Sequence, residues 1–532
     1  MTIRALKLII VVVGLVFLSN CSFNTKKQNT NKFKGFMIDA PRGVETQEYY
    51  FRLIDFLSNE GINTIIFRLT DDQGSAYKFK SHPELKMSDG ALSSKELKQL
   101  ISHASEKGIE MIPEIESFGH AKYITETDRY KFLDDAPEGA DFNALCPVND
   151  STFLLLKDLY TEVASIFQSK YFHIGCDEVN WGYSEKSKNA LKYKSRSQIW
   201  AEYVNQLNEY VKGLGKETMI WGDVPIYHEK DVLDRLNKNI ILIDWNYWET
   251  NTDTITNTAN SILSKGFKVI GCPAVDWCQW GPRMGALQFE NIKAYSKVYG
   301  SSDEQNNLGI VLSNWVPTRY LQDSQWDTYF IAAHLISDDK VYNYLELLPA
   351  FLKQHFDVDY NKDWEIIYKT LYEDIPQTVN CGSVDSLMFI PWNSAEHIKE
   401  IIKKKKPMVN NFHKAAELLT LNRDSVKKNR DDLDALLLTV EFIDYNFNRH
   451  NKLVDFVKNQ QFSHSSVKRF FGEIAKKDQV MLSKMDSAWI IGRRSENPGR
   501  ISEKYLWSFS KAATYSEQLN ENPDEFVRIL EE

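Results

Sequence analysis

Tyr171-Phe172-His173-Ile174-Gly175-Cys176-Asp177-Glu178 is a short β-rich run that turns at a glycine and ends on two adjacent acids. Seven more runs of this kind flank it. Upstream lie Gly35-Phe36-Met37-Ile38-Asp39, Thr64-Ile65-Ile66-Phe67 and Ile109-Glu110-Met111-Ile112. Downstream lie Thr218-Met219-Ile220-Trp221, Ile240-Ile241-Leu242-Ile243, Phe267-Lys268-Val269-Ile270 and Ile310-Val311-Leu312. Several are almost continuously apolar, as parallel strands covered on both faces must be. Between them, apolar residues recur at helical spacing: Tyr50, Leu53, Ile54, Leu57; Leu97, Leu100, Ile101, Ala104; Val204, Leu207, Val211. Gly61, Gly108, Gly215 and Gly266 each stand just before a strand run, where a helix C-cap is expected. Eight strand–helix units over residues 34–340 predict an α/β fold, a (β/α)8 TIM barrel. The competing doubly wound sheet lacks its Gly-rich phosphate loop after the first strand.

After residue 340 the strand runs stop. Leu433, Leu436, Leu437, Val440 and Ile443 form a helical stripe, so 341–532 is expected to be a mostly α-helical C-terminal domain. At the other end, Arg4 and Lys7 precede an apolar run over residues 8–18, too short to span a bilayer as a helix. Leu18-Ser19-Asn20-Cys21 follows and resembles a bacterial lipoprotein signal. Residues 1–20 then read as the signal peptide, 21–33 as a polar tether and Cys21 as the lipidated residue. The protein is expected to be exported and held to a bacterial membrane by this anchor. The remaining cysteines, Cys146, Cys176, Cys272, Cys278 and Cys381, are odd in number and match no zinc spacing, so most are expected to be free and buried. A net charge of -9 leaves no basic footprint for nucleic acid.

In a (β/α)8 barrel the chemistry sits on the loops after the strands. Here those positions carry acids, aromatics or both: Asp39 and Arg42; Asp71 and Asp72; Glu114, Glu116 and His120; Asp177 and Glu178; Trp221 and Asp223; Asp244, Trp245, Tyr247 and Trp248; Asp276, Trp277 and Trp280; Asn314 and Trp315. A cup with acidic groups and aromatic walls suits a sugar ring, whose C–H faces stack on Trp while its hydroxyls bond carboxylates and Arg. The adjacent carboxylates of Asp177 and Glu178 repel each other, which tends to raise one pKa and keep a proton for a glycosidic oxygen.

His173-Ile174-Gly175-Cys176-Asp177-Glu178-Val179 resembles the signature of glycoside hydrolase family 20, the β-N-acetylhexosaminidases. Asp39-Ala40-Pro41-Arg42, Leu69-Thr70-Asp71-Asp72-Gln73-Gly74 and Ile112-Pro113-Glu114-Ile115-Glu116 with Gly119-His120 resemble its first three strand motifs, in order. The chain resembles the single-barrel branch that includes hexosaminidase D. The resemblance implies exo-acting hydrolysis of a β-linked terminal N-acetylhexosamine, GlcNAc or GalNAc. Retention would arise through attack by the substrate's own 2-acetamido oxygen and an oxazoline, without cofactor or metal. It further implies Glu178 as general acid and base, Asp177 on the acetamido N–H, and Arg42 on ring hydroxyls. Asp71 and His120 would orient the acidic pair, and Trp221, Trp245 and Trp315 would wall the pocket. Tyr247 or Asp276 would meet the acetamido carbonyl. The chain departs from the family at Arg68, where His is common, at Cys176, where Gly is usual, and after Trp315, where a Trp-x-Glu pattern is missing. The same residues leave open a catalytically inactive glycan-binding barrel, a metal-dependent barrel enzyme and a hydrolase with a carboxylate nucleophile.

Overall fold

The computed structural model describes residues 32–140, 142–229, 231–276, 283–301, 304–317, 320–337, 343–374, 392–404, 406–458, 462–494 and 507–531. Cys21, the signal segment, Trp277, Trp280, Cys278 and Cys381 lie outside them. Eight parallel strands follow one another in chain order: β1 (Phe33–Asp39), β2 (Thr64–Arg68), β3 (Glu110–Glu114), β4 (Tyr171–His173), β5 (Glu217–Trp221), β6 (Ile241–Asp244), β7 (Lys268–Gly271) and β8 (Asn307–Asn314). β8 pairs with β1 and closes the barrel. These are the eight runs read from the sequence, with ends moved by one to three residues.

Register explains where the chemistry lies. Met37, Ile66 and Ile112 are aligned across β1, β2 and β3 and belong to the apolar filling of the barrel, with Met219, Ile241, Ile243, Ile270 and Val311. Two positions further on, Asp39 pairs with Arg68, Arg68 with Glu114 and Glu114 with His173. Strand side chains repeat with period two, so the layer above the apolar filling is charged.

The outer helices start where the sequence supplies caps. The side chains of Thr46, Ser93, Asn149, Ser195 and Asn251 each accept an N–H from the first turn of the helix that follows, and Glu96 completes a capping box with Ser93. Gly61, Gly108, Gly215 and Gly266 have φ between 75° and 83°, the left-handed C-cap expected of them. One feature was not legible beforehand. Thr70–Asp71, Gly74–Tyr77 and Met87–Leu92 form a small second sheet in the loop after β2. Its strands are too short to show a hydrophobic period.

Beyond the barrel the chain is helical, with Arg430–Lys458 and His464–Trp489 the longest helices. Leu433, Leu436, Val440 and Ile443 are buried, and Leu437 packs at the edge of the same cluster. That cluster runs without a break from the outer face of the barrel to Phe447. A buried pair, Arg449 Nε to Asp478 Oδ1 at 2.9 Å, sits under Trp392 within the helical region. Among the described residues, no helix is long and apolar enough to cross a membrane. Leu436 is 2% exposed within the shared core, so Leu436→Ala should cost about 2–5 kcal/mol. Thermal unfolding followed by tryptophan fluorescence and far-UV dichroism should shift together, and two separated transitions would contradict a shared core.

Candidate active site

The charged layer is organised by Arg68, which has no exposed surface. Its guanidinium donates to Asp39 Oδ1 at 3.0 Å, Asp71 Oδ2 at 2.8 Å, Glu116 Oε1 at 2.7 Å and Glu114 Oε1 at 3.3 Å. Arg42 lies in the turn directly after β1 and is 16% exposed; it donates to Asp71 Oδ1 at 3.2 Å and Asp39 Oδ2 at 3.3 Å. Burial alone would raise the pKa of Asp71, but Arg42 and Arg68 outweigh it and hold this carboxyl far below the ordinary range.

The acid pair stands at the end of β4. Its turn is cramped: a side chain on Gly175 would overlap Glu116, and one on Gly119 would overlap the Asp177 carbonyl. Cys176 and Glu178 have φ of 80° and 47°, left-handed values uncommon outside glycine. The Glu178 N–H donates to Asp223 Oδ2 at 2.9 Å, which fixes this backbone. The Cys176 thiol is buried and donates to the Ile174 carbonyl at 3.3 Å; burial pushes its pKa well up, so it is inert as a nucleophile.

His120 joins both acidic motifs. Nδ1 lies 3.2 Å from Asp72 Oδ2 and 3.6 Å from Asp71 Oδ2, while Nε2 lies 3.2 Å from Glu178 Oε2 and 3.6 Å from Asp177 Oδ2. Burial opposes a charge on the ring, but Asp177 and the hydrogen bonds to Asp177, Asp72 and Glu178 outweigh it, and the pKa stands well above the ordinary value. The imidazolium and Arg68 in turn hold Asp177 below its ordinary range against burial. The surrounding acids go the other way. Burial, reinforced by Asp177, pushes Asp223 up to about 8. Burial pushes Glu114 up to about 7, with Asp177 adding to it and Arg68 opposing. His120, Asp177 and Glu178 each offer one atom within 4.8 Å of the others, a spacing a cation would also accept. The raised pKa of the ring favours a proton on it, shared with the carboxylates on either side.

The wall is aromatic. Trp315 Nε1 donates to the Tyr247 hydroxyl at 2.8 Å, and Tyr247 stacks on Trp245 with centroids 5.1 Å apart. Trp315 also faces Arg42, whose Cζ is 5.4 Å from its ring centroid. Asp276 lies on the short strand Ala274–Asp276, side chain buried, with its carbonyl accepting the Trp315 N–H at 3.1 Å. Trp221 is more deeply buried than Trp315: it has no exposed surface, its Nε1 donates to Glu114 Oε1 at 2.9 Å, and its ring lies 5.6 Å from that of Trp315. Asp244 at the end of β6 is occupied by two tyrosine hydroxyls, Tyr227 and Tyr299, each at 2.5 Å. The structure therefore assembles Arg42, Asp71, His120, Asp177 and Glu178 around Arg68, beside the linked aromatics. Sequence reading noted Arg68 only as a departure and Asp223 only as a rim acid; the register of β1, β2 and β3 was the missing signal for the first.

A family model described as "Glycosyl hydrolase family 20, catalytic domain" matches residues 31–313. A beta-hexosaminidase of Vibrio furnissii is 25% identical over 303 residues, covering 49% of this chain and 48% of that protein. A beta-hexosaminidase of Porphyromonas gingivalis is 25% identical over 218 residues, covering 36% of this chain and 28% of that protein. The chain thus spans about half the length, or less, of the curated relatives it matches. The solved beta-N-acetylhexosaminidase of Bacteroides fragilis aligns with a TM-score of 0.50 at 21% identity, over 61% of this chain and 70% of that one, and shares the fold.

The pKa shifts set a pH window for stability. Asp223, Glu114 and His120 are all raised. For such groups the folded state binds more protons, so their contribution is complete below the unfolded pKa and is lost as pH rises through the folded one. Asp71 and Asp177 are lowered, and their contribution is lost as pH falls below about 4. Stability should peak in weak acid. Asp223→Asn keeps an acceptor for the Glu178 N–H and should flatten the loss of stability between pH 5 and 9. Parallel melting-temperature curves for wild type and variant would contradict the assignment.

Proposed function

Since the chain belongs to glycosyl hydrolase family 20, we propose that it is an exo-acting, retaining β-N-acetylhexosaminidase working by substrate-assisted catalysis on terminal GlcNAc or GalNAc. The observation that carries the reading is the asymmetry of the acid pair. Both carboxylates face one imidazolium, yet the Asp177 side chain is 8% exposed and the Glu178 side chain 44%. The buried, ionised member suits a fixed electrostatic task, and the accessible member suits proton exchange with substrate and water.

In this reading Glu178 gives its proton to the glycosidic oxygen as the bond to the anomeric carbon breaks. The acetamido oxygen attacks that carbon from the opposite face and forms the oxazoline. Asp177 accepts the acetamido N–H and offsets the positive charge growing there. Glu178, now a carboxylate, takes a proton from the water that reopens the ring, and configuration is retained by two inversions. Arg42 holds ring hydroxyls with its fork of donors, itself aimed by Asp39 and Asp71. Trp315 and Trp245 wall the sugar, Trp221 supports Trp315 from beneath, and Tyr247 or Asp276 meets the acetamido carbonyl. The intact set argues against an inactive glycan-binding barrel.

Attachment to a bacterial membrane through Cys21 belongs to the same proposal and rests on the Leu18-Ser19-Asn20-Cys21 motif. Expression of the Cys21→Ser protein should move activity from the membrane to the soluble fraction without changing kcat; retention in the membrane would refute the anchor.

The mechanism is tested at Asp177. Wild type should cleave a 2-acetamido glycoside far faster than its 2-hydroxy counterpart, because oriented intramolecular attack can remove as much as about 7–11 kcal/mol of barrier. Asp177→Asn should lose roughly 10²–10⁴-fold in kcat on the acetamido substrate, and a thiazoline mimic of the oxazoline should inhibit wild type tightly. A 2-fluoro sugar adduct on any Asp or Glu, seen by mass spectrometry, would replace this mechanism with a carboxylate nucleophile.

A further inference from the structure

The helix His464–Trp489 does not end in solvent. Ile490 and Ile491 lead to Gly492, whose φ of 86° turns the chain onto the loop after β1. There Glu45 and Arg493 form an antiparallel bridge, with Thr46 N–H donating to the Gly492 carbonyl at 2.6 Å and Arg494 N–H to the Val44 carbonyl at 3.1 Å. The Arg493 guanidinium is buried. It pairs with the Glu45 carboxylate, which also receives the Gln322 amide, and it donates to the carbonyls of Pro317 at 2.5 Å and Tyr320 at 3.0 Å. Buried carbonyls in a proline-containing loop need donors from outside the loop, and Arg493 supplies two. Tyr320 and Leu321 further pack against Met481, Met485, Trp489 and Phe509 of the helical region.

Both anchored loops carry sugar-site residues. Glu45 is three residues from Arg42, and Pro317 is two from Trp315. The loops are also tied at the site itself: the Val316 N–H, in a left-handed residue with φ of 51°, donates to Asp39 Oδ2 at 2.9 Å, the oxygen that Arg42 Nη1 also reaches at 3.3 Å. Contacts and short stretches of chain together close a circuit: Arg493 to Glu45, along the chain to Arg42, to Asp39, to Val316, and through Pro317 back to Arg493. Pro317 stands where the family pattern after Trp315 would place a glutamate, and here that position faces Arg493 through its carbonyl.

We propose that the C-terminal helical region is part of the sugar-binding machinery, with Arg493 as the positioning residue that sets Arg42 against Trp315. This rests on the hexosaminidase reading. Arg493 touches no reacting atom; it acts through the two loops. The separation of Arg42 from the Trp315 ring is then fixed by a residue far outside the barrel's own sequence. A misplacement near 1 Å in a binding residue can cost about 10²-fold in rate.

The test is a double-mutant cycle on the full chain. Arg493→Met keeps the stem and removes the donors, and should lower kcat/KM on 4-nitrophenyl N-acetyl-β-glucosaminide by about 30-fold, mostly through KM. In an Arg42→Ala background the same change should cost less than about threefold, because its target is gone. Additive losses would mean a general stability role and overturn the proposal. If Arg493→Met does not fold, as dichroism would show, Glu45→Gln with Arg493→Met removes the stranded carboxylate and is read in the same cycle. Hydrogen–deuterium exchange gives a readout independent of turnover: segments 40–46 and 312–317 should both lose protection in the variant, and unchanged protection overturns the proposal. A wild type that cleaves no N-acetylhexosaminide sinks the proposed function, and the exchange experiment alone then decides whether Arg493 sets the two loops.

Discussion

Everything at the mouth of the barrel depends on one buried guanidinium. The ends of β1, β2 and β3 and the loops after them bring Asp39, Asp71, Glu114 and Glu116 to within hydrogen-bonding distance of Arg68. Without a central cation, that density of carboxylates away from water would be prohibitive. One cation is not enough for four acids, and the remainder is resolved in two ways. Arg42 and His120 add positive charge toward the open side. Glu114 and Glu116, deeper in, are pushed up by burial and Asp177, which favours their protonated forms. The shifts run upward for the deeper acids and downward for Asp71 and Asp177 toward the open side.

The same neighbourhood holds most of the backbone strain. Of the described non-glycine residues with positive φ, His120, Cys176, Glu178 and Val316 are at the site and only Asp357 and Asn429 are elsewhere. Such conformations cost on the order of 1–3 kcal/mol each and persist only where surrounding contacts determine them. Here those contacts are visible: Asp223 holds the Glu178 N–H, Asp39 holds the Val316 N–H, and the acids hold the His120 ring. Groups fixed in this way need little reorganisation when charge develops on a substrate.

The barrel was legible because its signals are local. Apolar runs, caps and C-cap glycines each occupy a few consecutive residues, and the polar residues after every run followed the rule for this fold. The acid pair, Arg42, Asp71 and His120 were legible through motifs of similar length. Depth was not. Trp221 sits at a strand end like Trp315, but it is fully buried, packed on Trp315 and hydrogen-bonded to Glu114. Arg68 looked like a substitution for histidine, and its four partners come from three separate segments of sequence. Arg493 carried no signal at all, since its partners are in the loops after β1 and β8.

The pairing of Glu45 with Arg493 spans 448 residues. At a synthesis rate of about 5–20 residues per second, the acid leaves the ribosome on the order of 20–90 s before the base that neutralises it. During that interval the loop bearing Arg42 lacks its bridge to Arg493. A chain cut short after the barrel would carry every residue of the acid pair's network and still lack the last tie between the two loops. The tie between the two loops therefore waits on the synthesis of residue 493, long after the barrel strands have been made.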